Sequence, residues 1–176
     1  MASVLTRIDE GTAKAQQTAS PFLSGIHRPM EEELTLTELE VRGTIPHALR
    51  GRYLRTGPNP IAADPASYHW FTDDGMVHGL AIRDGKAIWY RNRWIGSRSN
   101  AVARGTAPAP GPRHGPSDTV NTNIVDLGGR VFAVVEGGSY PVELSETLDG
   151  QRYTDFGGSL AGSFTPHPHR DPLTGD

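Results

Sequence analysis

The fold is indicated first by residues 80–94, LAIRDGKAIWYRNRW, which have the pattern of two β-strands joined by a tight turn. Asp84-Gly85 favours a two-residue hairpin loop, because such a loop needs positive φ at both central residues. The flanking runs contain the Ile, Trp and Tyr residues that strands prefer. We therefore predict an antiparallel hairpin in which residues 80–83 pair with residues 87–94.

Further turn signals follow downstream, separated by short apolar runs. They are Gly128-Gly129, Gly137-Gly138 and Asp149-Gly150. The strands predicted around them cover residues 121–127, 131–136, 140–144 and 153–156. The interval from the Asp84 turn to the Gly128 turn matches the roughly 40 to 45 residues of a four-stranded propeller blade. A β-sandwich also has short strands at such intervals, so spacing alone leaves both architectures open.

Upstream of the hairpin the strand pattern is less regular. Residues 31–43 alternate apolar and polar side chains as a half-buried strand does. Residues 51–55 form a second predicted strand, closed by Gly57-Pro58-Asn59-Pro60. The aromatic run at residues 68–73 predicts a strand that turns at Asp74-Gly75. The proline- and glycine-rich residues 105–117 predict an irregular, mobile surface loop.

Composition favours an all-β protein and excludes some functions. Glycine and proline supply 21 and 14 of the 176 residues, and 36% of residues are hydrophobic, which favours a turn-rich β fold over disorder. The net charge of -3 and the lack of a basic cluster argue against a nucleic-acid partner. Since the chain has no cysteine, a transition metal would need imidazole and carboxylate ligands, which suit iron, manganese or zinc.

The two ends of the chain give weaker signals. Residues 1–20 contain no apolar run, so we expect neither a signal peptide nor a membrane span and assign a cytoplasmic location. Residues 1–30 are expected to form a loosely ordered arm. Asp171-Pro172 and Thr174-Gly175-Asp176 have turn chemistry of the kind that joins two strands, and no returning strand follows. We therefore expect residues 31–176 to form a β domain that is truncated at its C-terminus.

His167 and His169 are the closest pair of histidines and the first candidates for a metal site. Residues two apart in an extended backbone point to the same side, so both rings could face one cavity. Pro166 and Pro168 keep this segment from becoming a helix. A solvated surface loop is the competing interpretation, and the local sequence leaves both open.

Glu136 is the second candidate, because it ends a run that is apolar on both faces, residues 131–135. A buried carboxylate needs a partner, and a metal-bound histidine often donates its second ring N–H to one. An exposed glutamate at the Gly137-Gly138 turn explains the same position equally simply. Both interpretations stand at this level.

A series of blocks, taken in order, resembles the carotenoid cleavage oxygenase family. The blocks are Gly43-x-Ile45-Pro46, Leu49-x-Gly51-x-Tyr53-Leu54-Arg55-x-Gly57-Pro58-Asn59-Pro60, His69-Trp70-Phe71, Asp74-Gly75-Met76-Val77-His78-Gly79, Tyr90-Arg91-Asn92-Arg93, Asn121-Thr122-Asn123, Val135-Glu136-Gly137-Gly138, Asp155-Phe156-Gly157-Gly158 and His167-Pro168-His169. The resemblance runs from about Leu34 to Asp176. The chain departs from the family pattern at Thr56, at Thr72-Asp73 and at Pro166, which fixes the backbone beside His167.

The resemblance implies a seven-bladed β-propeller whose axis holds a non-haem Fe(II) bound by four histidines, most of them supported by glutamates. By position, His167 matches the first iron ligand. Glu136 matches a glutamate that supports a histidine from a later blade. His169, His78 and His69 match no ligand.

The resemblance also implies a reaction and a substrate class. Family members use O2 to cleave a conjugated double bond of carotenoids, apocarotenoids or stilbene-like compounds, and some relatives isomerise retinoid esters. An apolar polyene or stilbene-like partner is expected, and peripheral membrane contact for its uptake is left open. Members are more than twice as long, so this chain would supply the arm, the first blades and one ligand. The alternative is a truncated, non-catalytic β-rich binding module derived from the family.

Overall fold

Two antiparallel sheets of four strands each dominate the part of the chain that the computed structural model describes, residues 20–175. The first sheet has the order β1-β4-β3-β2 and the second the order β5-β6-β7-β8. The mostly β composition that the sequence predicts is confirmed. Within the described residues, no helix is long and apolar enough to cross a membrane.

The first sheet is built around the predicted hairpin. Its strands are β1 (Thr35–Leu36), β2 (Gly51–Pro58), β3 (Gly75–Arg83) and β4 (Lys86–Trp94). Asp84 and Gly85 form the connection between β3 and β4, with φ angles of 50° and 73°. Both values are positive, as a type I′ hairpin loop requires, so this prediction is confirmed.

The second sheet is a simple meander. Its strands are β5 (Asn123–Leu127), β6 (Arg130–Val134), β7 (Val142–Leu144) and β8 (Gln151–Tyr153). Gly128-Gly129 forms the turn between β5 and β6, and Gly137-Gly138 lies in the connection between β6 and β7. Asp149-Gly150 also lies outside the strands, directly before β8, but the turn of this connection is at Glu146-Thr147, three residues earlier than predicted.

The predicted strand at residues 31–43 is wrong except for the two residues of β1. Side chains of β4 bind the backbone here in place of a strand ladder. Asn92 Oδ1 accepts from Leu34 N at 2.6 Å, and Arg93 Nη1 donates to Leu34 O at 2.7 Å. Leu36 and Val41 are 43% and 44% exposed, so the apolar residues of this stretch are not buried as those of a half-buried strand would be.

The aromatic run at residues 68–73 is not the predicted strand. Trp70–Thr72 forms a 3-10 helix, and His69 Nδ1 accepts from Phe71 N at its start. The rings pack on the N-terminal segment instead of lining a sheet, with Trp70 5.0 Å from Phe22 and 4.6 Å from His27 between ring centroids. Of the predicted arm, residues 1–19 lie outside the described residues, and residues 20–30 contain two 3-10 turns.

One α-helix, α1 (Arg98–Arg104), was not predicted. Ser97 caps its N-terminus, where its Oγ accepts from Asn100 N at 3.1 Å, and Gly105 in the left-handed conformation ends it. Residues 105–117 are irregular, as predicted. This loop nonetheless joins the second sheet, because Tyr153 N donates to Pro110 O at 2.8 Å.

The two sheets share one hydrophobic core. It consists of Val77, Ile95, Val120, Val131, Ala133, Val135, Val142, Leu144, Leu148 and Tyr153. At Gly75 the backbone of β3 lies directly against that of Val120, since a Cβ would lie 1.8 Å from the Val120 carbonyl oxygen. Only glycine fits there, so Gly75 allows the backbone leading into the second sheet to lie against the first.

Arginines of the first sheet bind the loop between β7 and β8. Arg52 Nη1 donates to the carbonyl of Glu146 at 2.9 Å, and Arg91 and Arg93 bind the two carboxylate oxygens of Asp149 at 2.9 and 2.7 Å. Partial burial by itself would raise the pKa of Asp149. Arg93 and Arg91 nevertheless hold that pKa below its ordinary value. Leu148 of this loop is fully buried despite a φ of 66°, and its side chain reaches Gly79 of β3.

Gly75→Ala should destabilise the protein by at least the roughly 1–3 kcal/mol typical of overpacking, because the new methyl would meet backbone atoms of Val120. Gly57→Ala in the same sheet is the matched control, since a Cβ there meets nothing within 4 Å. We expect a change of about 0.5 kcal/mol or less for the control. Urea denaturation measures both, and equal stabilities of the two variants would contradict this account of the sheet contact.

Candidate metal centre

Asn121, Thr122 and Asn123, the Asn-Thr-Asn segment, join three distant parts of the chain just before β5. The side-chain amide of Asn121 donates to the carbonyl of Asp73 at 2.8 Å. Thr122 N donates to the carbonyl of Val134, the last residue of β6, at 3.1 Å. The amide of Asn123 donates to the carbonyl of Pro166 at 2.9 Å. The segment therefore ties the first sheet, the end of β6 and the backbone next to His167 together.

Glu136 follows the end of β6 and is exposed, whereas Val135 before it is only 8% exposed. Of the two interpretations left open by the sequence, the exposed turn position agrees with the structure of the described residues. Glu136 stands directly before a turn in which Gly137 and Gly138 have φ angles of 71° and 91°. A supporting role beside a metal-bound histidine stays a prediction.

His167 is exposed and lies on a well-held backbone. Its N–H donates to Thr165 Oγ1 at 3.3 Å, and the preceding Pro166 is buried with its carbonyl bound by Asn123. The imidazole ring makes no hydrogen bond to any residue between 20 and 175. The ring is therefore available to bind a metal.

His169 lies in a different environment from His167. It borders a groove of about 620 Å³ beside the β5–β6 turn, together with Val125, Leu127 and Phe164. His167 is not among the residues that line this groove. The two imidazoles therefore do not share one cavity, contrary to the simple expectation from their spacing.

The described residues provide one candidate ligand of a metal site, His167. Between residues 20 and 175, no group of three or more histidine, aspartate or glutamate side chains could hold a metal ion. An unpaired imidazole on an anchored backbone fits one ligand of a histidine-based iron site. The affinity of such a site comes from several ligands held together, so the remaining ligands would have to come from outside these residues.

Two further histidines, His78 and His69, have structural roles. His78 Nδ1 lies 2.8 Å from the Tyr90 hydroxyl. Burial first, and then the charge of Arg55, lowers the pKa of His78 to about 4. His69 caps the 3-10 helix described above. Among the described residues, neither belongs to a group of three or more side chains that could hold a metal ion.

Asn123 is the candidate-site residue that residue-level reasoning missed. The resemblance included Asn121, Thr122 and Asn123 as a block but gave them no role. A usable signal was present, because two carboxamides flanking a threonine directly before an apolar strand are well suited to bind backbone from neighbouring segments. Their partners could not be named from the sequence, since Asn123 and Pro166 are 43 positions apart.

Comparison with known proteins decides the family. The family model described as retinal pigment epithelial membrane protein matches residues 27–176. A carotenoid cleavage oxygenase of Mycobacterium tuberculosis is 49% identical over 169 residues, which cover 94% of this chain and 34% of the relative. The chain belongs to the carotenoid cleavage oxygenase family.

Other members of the family are similar over the same share of their length. Resveratrol cleavage oxygenase 1 of Aspergillus fumigatus is 32% identical over 173 residues, covering 89% of this chain and 34% of the relative. The chain thus spans about a third of the length of the curated relatives it matches.

Solved structures agree with the observed fold. The lignostilbene dioxygenase of Pseudomonas brassicacearum superimposes with a TM-score of 0.71 at 22% identity, covering 88% of this chain and 35% of that one. The cobalt-substituted apocarotenoid oxygenase of Synechocystis has a TM-score of 0.67 at 25% identity, covering 82% and 34%. The two sheets of this family member are therefore blades of a β-propeller.

The lowered pKa of His78 makes a testable contribution to stability. In the unfolded chain the group titrates near its ordinary value of 6.5, but in the folded chain near 4. Between these values the unfolded state binds a proton that the folded state does not. Stability should therefore fall as the pH is lowered from about 6.5 to about 4, and His78 should add no slope outside that window.

Urea denaturation of wild type and His78→Gln across this range measures the contribution. The variant should lose part of the pH dependence, while slopes from other groups cancel in the comparison. Identical slopes for the two proteins would contradict the assignment of a buried, neutral imidazole.

Proposed function

We propose that this chain is part of a non-haem Fe(II) dioxygenase that uses O2 to cleave a conjugated double bond in an apolar carotenoid, apocarotenoid or stilbene-type molecule. The observation that carries the proposal is the exposed His167 imidazole on its anchored backbone, in a chain 49% identical to a carotenoid cleavage oxygenase. The names of relatives support both substrate classes, since one is a carotenoid enzyme and another cleaves resveratrol.

His167 would donate one imidazole nitrogen to the iron. Its ring is free of protein hydrogen bonds within the described residues, so no bond has to be broken before it binds. The bound iron would supply O2 activation, which side chains cannot perform. The role of this chain would be to hold the His167 ligand at a fixed place beside the second sheet.

Glu136 would act on a neighbouring ligand. An exposed carboxylate two residues beyond Val134 is free to accept a ring N–H from a histidine supplied by the rest of the propeller. Such a bond fixes the tautomer of the histidine and raises its basicity as a ligand. The carboxylate would lose its exposure once that blade is packed beside it.

A non-catalytic module is the second candidate. The lack of a metal-binding cluster within residues 20–175 favours it for the chain on its own. In that case the two blades would act as a β-rich binding surface, and His167 would have no special role. The two candidates predict different activities for a protein in which this chain is joined to the part of a relative that it does not match.

A chimera separates them, in which this chain replaces the matching segment of the Mycobacterium tuberculosis relative. Loaded with Fe(II) without oxygen and then given O2, it should remove the visible absorbance of a polyene substrate. His167→Ala should abolish both iron binding and cleavage. His169→Ala, two positions away and equally exposed, should leave both within about two- to threefold, because that ring lies in a separate groove.

The 176-residue chain alone should bind iron weakly and cleave nothing, since one imidazole leaves most metal positions to water. Cleavage by the short chain, or a chimera indifferent to His167→Ala, would contradict the proposed function. A chimera that folds but never binds iron would favour the binding module.

Glu136→Gln in the chimera should lower Fe(II) affinity by about 10- to 100-fold, the usual effect of removing a partner of a metal-bound histidine. Glu146→Gln is the matched control, because Glu146 is equally exposed but lies on the loop between β7 and β8. Titration with Fe(II) under anaerobic conditions measures both. Equal affinities of the two variants would remove Glu136 from the site.

A further inference from the structure

We propose that Asn123 is a positioning residue for His167, holding the backbone from which the imidazole reaches the metal. The inference rests on the proposed function, because it presumes that His167 is a ligand. It concerns a hydrogen bond between two residues 43 positions apart, Asn123 Nδ2 to Pro166 O at 2.9 Å.

The bond acts on the peptide unit that carries His167. This unit has one acceptor, the Pro166 carbonyl, and one donor, the His167 N–H. Asn123 binds the acceptor, and Thr165 Oγ1 accepts from the donor at 3.3 Å. With both polar atoms engaged, the plane of the peptide that leads into His167 is held.

The flanking prolines leave one torsion for Asn123 to control. The ring of Pro166 fixes its own φ, and Pro168 restricts His167 to extended conformations. The ψ angle of Pro166 is fixed by neither ring, and it sets the direction of the Pro166 carbonyl. A hydrogen bond to that carbonyl therefore restrains a torsion that the prolines leave free.

Asn123 is itself held firmly enough to do this. Its Oδ1 accepts from Ile124 N at 2.8 Å, so both ends of the carboxamide are bound. Asn123 is also the first residue of β5 and pairs with Val134 of β6. The second sheet therefore fixes the position of the Asn123 amide.

Among the described residues, a single hydrogen bond holds the segment around His167 against the sheets. Between residues 161–170 and the two sheets, the bond from Asn123 is the only hydrogen bond in the part of the chain that the structure describes. The remaining anchors are apolar, namely the buried Pro166 ring and the contact of Phe164 with Phe156 at 5.9 Å between centroids. Apolar packing resists displacement but does not select the direction of a carbonyl.

The test uses two substitutions at Asn123 and a matched control in the chimera described above. Asn123→Asp keeps an acceptor for Ile124 N but sets a carboxylate oxygen against the Pro166 carbonyl. Asn123→Ala removes the donor without adding charge. Asn121→Asp makes the same chemical change two residues away, where the amide binds Asp73 and not the segment of His167.

Co(II) is the probe, because its visible absorption reports ligand geometry independently of turnover and a cobalt-substituted relative has been crystallised. Both Asn123 variants should bind Co(II) about 10- to 100-fold more weakly than wild type and shift its absorption bands. Asn121→Asp should keep the wild-type affinity and spectrum even where its melting temperature falls.

The outcomes separate this inference from the function on which it rests. Wild-type affinity and spectrum in both Asn123 variants, with His167→Ala unable to bind Co(II), would overturn the role of Asn123 alone. An equal loss in Asn121→Asp would also overturn it, since the effect would then be general destabilisation. A wild-type chimera that binds no Co(II), or binds it unchanged after His167→Ala, would overturn the proposed function and this inference with it.

Discussion

The contact between Gly75 and the backbone of Val120 is the constraint on which the rest of the arrangement depends. With no side chain at Gly75, the start of β3 lies directly against the residue that precedes the Asn-Thr-Asn segment. The segment is thereby held where Asn121 reaches Asp73 and Asn123 reaches Pro166. A close approach between β3 of the first sheet and the backbone leading into the second sheet thus helps to hold the His167 backbone in place.

The loop between β7 and β8 adds a second connection between the same two sheets. Arg91 and Arg93 bind Asp149, while Leu148 adopts a positive φ to place its side chain in the shared core. A positive φ is costly for leucine, so packing against the first sheet must outweigh that strain. The buried core contains residues of both sheets, and the segment that carries His167 likewise depends on contacts with both.

The sequence predicted the tight turns well and the irregular connections poorly, for physical reasons. Asp84-Gly85 and Gly128-Gly129 form turns because their backbone preferences are local. Residues 31–43 and the aromatic run at 68–73 have strand-like patterns, but their backbone or rings find partners in distant side chains. His167 and Glu136 were accessible as candidates from residue type and family resemblance. The Asn123–Pro166 bond was not, because it depends on the fold bringing together two segments far apart in sequence.

The central claim is that His167 binds iron from a backbone held by Asn123. The most direct measurement is X-ray diffraction at the iron absorption edge from crystals of the Fe(II)-loaded chimera. We predict an anomalous peak about 2.1 Å from a ring nitrogen of His167, with the Asn123–Pro166 hydrogen bond intact. An iron peak whose ligands do not include His167 would contradict the account.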